Sequence, residues 1–131
     1  MSGAMEQNRV AFTSILKDGT AAGKMLKDIQ TQIWSQELAK FKALWAREKT
    51  RKQYDRAKEA LSMAQESKLD KAKEAVPNLE KAVENLTAEL KEIDTRIHGQ
   101  EDGQGEPGID QKLEAFVELR DITKSFIKYN C

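Results

Sequence analysis

LDKAKEAVPNLEKAVENLTAELKEIDTRI, residues Leu69 to Ile97, carries the strongest pattern in the 131-residue chain. Leu69, Ala72, Val76, Leu79, Val83, Leu86, Leu90, Ile93 and Ile97 follow one another in alternating steps of three and four. That spacing lays all of them along one stripe of a helix, the heptad pattern of a segment that buries its seam against a partner helix. At about 1.5 Å per residue such a helix is roughly 44 Å long, more than a compact domain of this size needs. Pro77 lies inside it. It lacks a backbone donor and crowds the preceding turn, so a kink is expected near residues 73–77.

Working outward, Gln65-Glu-Ser-Lys68 reads as a tight connection to a preceding helix, and Ser67 with Asp70 three residues on forms a capping-box pattern. Upstream, Leu26, Ile29, Ile33, Leu38, Phe41 and Trp45 recur every three to five residues, which predicts one apolar face on a long helix starting near Thr20. Beyond Trp45 only Tyr54, Ala57, Leu61 and Ala64 continue it, so this half is expected to be largely exposed. A short segment, Gln7 to Lys17, precedes the turn signal Asp18-Gly19-Thr20. Downstream, residues 99–108 are rich in Gly and acid and read as a flexible linker. A last helix from Ile109 sets Leu113, Phe116, Leu119, Ile122, Phe126 and Tyr129 on one face, and its stripe is still running at the terminus. The expectation is one all-α domain over residues 1–131, a long kinked antiparallel hairpin that dimerises. Its packing and dimer seam is Ile33, Phe41, Trp45, Val76, Leu79, Val83, Leu86, Leu90, Ile93 and Ile97.

Composition removes several function classes. Charged residues are 34% and apolar residues 39% of the chain, and no apolar run approaches the ~18 residues of a membrane span. The N-terminus has no apolar core of a signal peptide. Cys131 is the only cysteine, so no internal disulfide and no cysteine metal site forms, and a reducing cytoplasm is the expected setting. Gly19-Thr-Ala-Ala-Gly23-Lys24 is one residue short of a phosphate loop, with Met25 where the magnesium-binding hydroxyl belongs. His98 is the only histidine, which excludes a metal site of two histidines or a triad beyond it. No enzyme, metal or cofactor is expected.

Charge is segregated although the total is zero. Lys40 to Lys58 holds eight basic residues against Glu48 and Asp55, and Glu74 to Glu106 holds nine acidic ones against Lys81, Lys91 and Arg96. Such separation lets one segment attract an anionic surface while the whole stays soluble.

The order Leu44-Trp-Ala-Arg-Glu-Lys49, Arg51-Lys-Gln-Tyr-Asp-Arg-Ala-Lys58, a Ser-Lys tip, Lys71-Ala-Lys73 and the heptad helix closing in Leu90-Lys-Glu-Ile93 resembles the second and third helices of BAR domains of the amphiphysin and sorting-nexin type. Phe116-Val-Glu-Leu119 and Phe126-Ile-Lys-Tyr129 are similar to that family's closing helix. The resemblance implies an antiparallel homodimer or related heterodimer, peripheral on anionic phospholipid membranes in vesicle trafficking. By position it implies lipid-binding roles for Arg47, Lys49, Arg51, Lys52, Arg56 and Lys58 on a concave face and for Lys68, Lys71 and Lys73 at the tip. The competing expectation is a coiled-coil scaffold whose basic helix pairs with the acidic one and never meets lipid. A nucleic-acid partner is disfavoured by zero net charge and scarce aromatics in the basic stretch.

Overall fold

The structure, a computed structural model, describes residues 19–130; the expected Gln7–Lys17 segment and Cys131 lie outside the described residues. Three helices account for nearly all of it: α1 (Gly19–Glu66), α2 (Asp70–His98) and α3 (Ile109–Asn130). The all-α expectation and the extents of the three helices agree with this to within a residue or two at each end. The turn expected at Asp18-Gly19-Thr20 is not one at its described residues, since Gly19 and Thr20 already belong to α1. The phosphate-loop-like GTAAGK therefore forms the first helical turns. The Ser67–Asp70 capping box does not form either. Leu69 takes the N-cap position of α2 without a side-chain cap, and the Ser67 hydroxyl accepts the Leu69 N–H at 3.1 Å. Pro77 sits within α2, which continues through it.

The 48-residue α1 is about 72 Å long at 1.5 Å per residue, and the other two helices share it. α2 turns back along its C-terminal half and α3 lies along its N-terminal half, while α2 and α3 touch little. Two contacts fix the arrangement. Arg47 Nε donates to Asp94 Oδ1 at 2.6 Å, and Lys40 Nζ meets Asp110 Oδ1 at 2.7 Å. The described chain is thus a rod two helices thick, with α3 carrying on in the direction of α2.

The best-packed point is where all three helices meet. Ala43, Ile93, Ile97 and Ile109 form a buried cluster, with Ala39, Ala46 and Leu113 against it. Alanine at 39, 43 and 46 keeps this side of α1 shallow, so the branched side chains of α2 and α3 come close to its backbone. Ile29 and Ile33 are buried further along the same side. Thr123 is fully buried on α3, and its hydroxyl donates to the Leu119 carbonyl at 2.7 Å, so no polar atom is stranded.

One side chain ties the junction. Gln111, third residue of α3, accepts the N–H of Gly108 and donates through Nε2 to the His98 carbonyl at 2.8 Å. The first bond is the reciprocal half of a capping box at the start of α3, and the second satisfies a terminal carbonyl of α2. Gly99, at φ 81°, ends α2 and donates to the Thr95 carbonyl at 2.7 Å. Gly108 packs against backbone atoms of Ile97, His98 and Gly99, where a Cβ would collide. Replacing it forces the two helix ends apart. Gly108→Ala is expected to lower stability by about 1–3 kcal/mol, the usual size of an overpacking strain, seen as a reduced urea midpoint. Gly23, with open space around its Cα in the second turn of α1, serves as the opposite case. There Gly23→Ala is expected to raise stability by about 0.5–1 kcal/mol, because alanine loses less backbone entropy in a helix.

The same junction titrates. The Lys40 ammonium, by hydrogen bond and charge, holds the Asp110 carboxyl below its ordinary value; partial burial opposes this and His98, whose Nδ1 is 3.0 Å from Oδ2, adds to it. A depressed carboxylate stabilises the fold above its unfolded pKa of about 3.9, and the contribution fades as pH falls through the lower folded value. Acid unfolding of Asp110→Asn is therefore expected to have a shallower dependence on pH below about 4 than that of the parent protein.

Candidate functional site

The apolar stripe expected on α1 is not one face. Successive side chains on a helix are about 100° apart, and at that rotation Ile29, Ile33, Ala43, Thr50, Tyr54 and Leu61 fall on one side. Trp34, Leu38, Phe41 and Trp45 fall on the side opposite to it. The structure buries the first set fully or partly and leaves the second bare, with Trp34 62%, Phe41 67% and Trp45 68% exposed. Steps of three to five residues mixed the two sides, which is why they looked continuous. Ile33 packs inside the rod as expected of the seam; Phe41 and Trp45 do not. The rest of the expected seam, Val76, Leu79, Val83, Leu86 and Leu90, is half-buried on α2, and Ile93 and Ile97 are buried.

The basic residues sort by the same rotation. Arg47 lies on the inner side and is bound to Asp94 across the α1–α2 boundary. Arg51 lies on the flank and is fully used within its own helix. Its guanidinium donates to both Glu48 oxygens at 3.1 and 2.7 Å and to Asp55 Oδ2 at 2.8 Å. That bond to Arg51, with the nearby cationic charge, draws the exposed Glu48 carboxyl below its ordinary value. Lys58 lies over the Tyr54 ring, 5.4 Å from its centroid, a cation–π contact. Lys49, Lys52 and Arg56 are exposed and, among the described residues, meet no carboxylate; so are Lys68, Lys71 and Lys73 at and just after the turn.

Lys49, Lys52 and Arg56 fall within about 60° of the Trp34–Trp45 line. Towards the N-terminus Lys24 and Lys27 lie near the same line, and Lys42 flanks it; all three are exposed. The acids that border the face on the other side are Glu37, Glu48 and Asp55, and Glu59 lies within it beyond Arg56. Arg51 neutralises two of them. The outer surface of α1 is therefore a straight band of indoles and a phenyl ring between clusters of unpaired cations. The back of α2 carries exposed Glu74, Glu80, Glu84, Glu89 and Glu92 together with exposed Lys81, Lys91 and Arg96, so it is acidic by a net of two.

Other surfaces offer less. An open groove of about 1140 Å³ between α1 and α2 is lined by Leu44, Arg47, Tyr54, Leu90, Asp94 and His98 among others, and within it Arg47 and Asp94 are bound to each other. Among the described residues no group of three His, Cys, Asp or Glu is placed to hold a metal ion. No described helix is long and apolar enough to cross a membrane. Comparison with protein-family models, curated proteins and solved structures finds no match for this chain.

The sequence reasoning missed the two-sidedness of α1, though the signal was present: the four-three-four spacing of Trp34, Leu38, Phe41 and Trp45 is self-consistent and excludes Ile29 and Ile33. Arg47–Asp94 is half-exposed, with side chains 41% and 40% accessible, so its coupling stays in the range of surface pairs. A double-mutant cycle of Arg47→Ala and Asp94→Ala is expected to return about 0.5–1 kcal/mol by thermal unfolding. Lys49→Ala in the same assay is expected to change stability by less than about 0.5 kcal/mol.

Proposed function

We propose that the chain is a non-enzymatic helical module of the BAR type that dimerises and docks on anionic phospholipid membranes from the cytoplasmic side, in the sensing or shaping of curvature during vesicle trafficking. The observation that carries this is the sorting of charge on the rod. Among the described residues, Lys40 and Arg47 alone of the basic stretch from Lys40 to Lys58 reach across to another helix, while Lys49, Lys52 and Arg56 point away from the rod and meet no carboxylate. Unpaired lysine and arginine side chains near an anionic leaflet contribute about 1 kcal/mol each, and the attraction decays within a Debye length. This reading turns the outer surface of α1, with exposed Lys49, Lys52 and Arg56, towards the lipid. Lys68, Lys71 and Lys73 extend the cationic surface to the end of the rod.

A second copy is favoured by the thinness of the structure. The chain exposes 9727 Å², against roughly 7,000 Å² for a compact monomer of its mass. The seams along α2 and α3 are only half-covered, including Val76, Leu79, Val83, Phe116 and Leu119. A copy laid along those seams leaves the outer surface of α1 free.

The scaffold alternative, in which the basic helix neutralises the acidic one, rests within this stretch, among the described residues, on the Arg47–Asp94 pair. One variant separates the two readings. Replacing Lys49, Lys52, Arg56 and Lys71 together by Glu is expected to weaken co-sedimentation with phosphatidylserine vesicles more than a hundredfold at about 1 kcal/mol per reversed site, with circular dichroism and melting temperature unchanged. A fall in melting temperature, together with a parent protein that never sediments with the vesicles, sinks the membrane reading and supports the scaffold.

A further inference from the structure

The aromatic band on α1 has no use in a purely electrostatic contact. Trp34, Leu38, Phe41 and Trp45 occupy three consecutive turns, and none is covered by α2 or α3. Exposed apolar patches of several hundred square ångströms mark contact sites, and two half-bare indoles with a phenyl ring and a leucine reach that size. We propose that this band enters the headgroup–acyl boundary of an anionic bilayer, so that α1 lies flat on the membrane with Trp34 and Trp45 as its anchors. The inference rests on the membrane reading above and adds a second, apolar component to it.

Three observations choose lipid over a second copy of the chain as the occupant. The first is the company the band keeps. Lys24 and Lys27 precede it, Lys42 and Lys49 flank it, and Lys52 and Arg56 continue its line, all exposed. Their stems lie beside the apolar band and their ammonium and guanidinium heads reach the level of phosphate groups. Trp and Phe on one surface with Lys and Arg around them is the make-up of helices that lie in a membrane interface.

The second is what self-pairing would cost. Two copies paired in parallel through the band bring Lys27 and Lys52, which lie on its line, each against its own counterpart. Two copies paired antiparallel about the band's centre bring Lys52 against the partner's Lys27 twice. The third is the fate of the acids. Glu48 and Asp55 both lie at the edge of the band, and Arg51 clamps both. An intramolecular clamp of this kind reduces repulsion between those carboxylates and anionic headgroups, and it is of no use to an interface that needs them for pairing with another chain. Glu37 remains as the unneutralised acid beside the aromatic residues.

Trp34 and Trp45 are the only tryptophans, so intrinsic fluorescence reports on this band alone. With phosphatidylserine vesicles, emission is expected to move to the blue and to be quenched by brominated acyl chains; with uncharged phosphatidylcholine vesicles neither change is expected. Trp34→Ser with Phe41→Ser is expected to cut affinity for the anionic vesicles at least tenfold at unchanged helix content, and to leave the remaining binding more sensitive to salt. Co-sedimentation without a blue shift or quenching overturns the insertion while leaving the electrostatic reading intact. No co-sedimentation at all overturns both. Emission that is already blue without lipid and moves to the red on dilution, alongside a dimer that Trp45→Lys dissociates, overturns the insertion in favour of a second copy.

Discussion

A helix with apolar side chains on two opposite sides cannot hide both against a single layer of neighbours. α1 is such a helix, and everything else in this structure follows from how that conflict is resolved. One side, lined by Ile29, Ile33 and the alanines at 39, 43 and 46, receives α3 and α2 in turn. The other side is left to the surroundings. The inner side is narrow and built partly from alanine, so the fold holds together through a small cluster at the three-helix junction rather than through a broad core. Burial of an apolar side chain stabilises by about 1.5–3 kcal/mol, and few of the described large side chains achieve it in full.

That economy of packing makes polar contacts at the junction matter more than they would in a thicker domain. Lys40, His98 and Asp110 come one from each helix and meet at one carboxylate. Gln111 closes both helix ends beside them. Further along the rod, two arginines of α1 act as restraints. Arg47 locks α1 to α2 and Arg51 silences two carboxylates, while Lys49, Lys52 and Arg56 are left facing outward. Planar guanidinium suits a two-oxygen clamp, and ammonium on a long stem suits a diffuse anionic surface.

Much of the fold was legible because it is local. The heptad run from Leu69 to Ile97 obeys a single helical period, and α2 lies where it predicts. The three-residue steps from Leu113 to Ile122, by contrast, drift by about 60° each, so that stripe spreads over half of α3, and Tyr129 at its end is exposed rather than on a shared face. The pairing of α1 with α2 followed from a short polar connection. What could not be read was partnership. Basic residues of one stretch look alike in sequence, yet Arg47 faces inward and Lys49, two positions on, faces out, a difference of about 200° that only packing turns into a difference of role. Phe41 and Trp45 are plain in the sequence and read as seam residues because large apolar side chains usually belong there. Nothing in their identity says that Ala43, between Phe41 and Trp45, is the residue that touches the core.

The connection between α2 and α3 has an architectural consequence. Its two ends are pinned to each other by Gly99, Gly108 and the Gln111 amide, while residues 100–107 are exposed throughout. Closing a longer loop between fixed ends costs only about 0.6 kcal/mol for each doubling of its length. The rod therefore has a built-in socket at its middle, where extra sequence, even a folded domain, can be inserted without altering the line of the helices on either side.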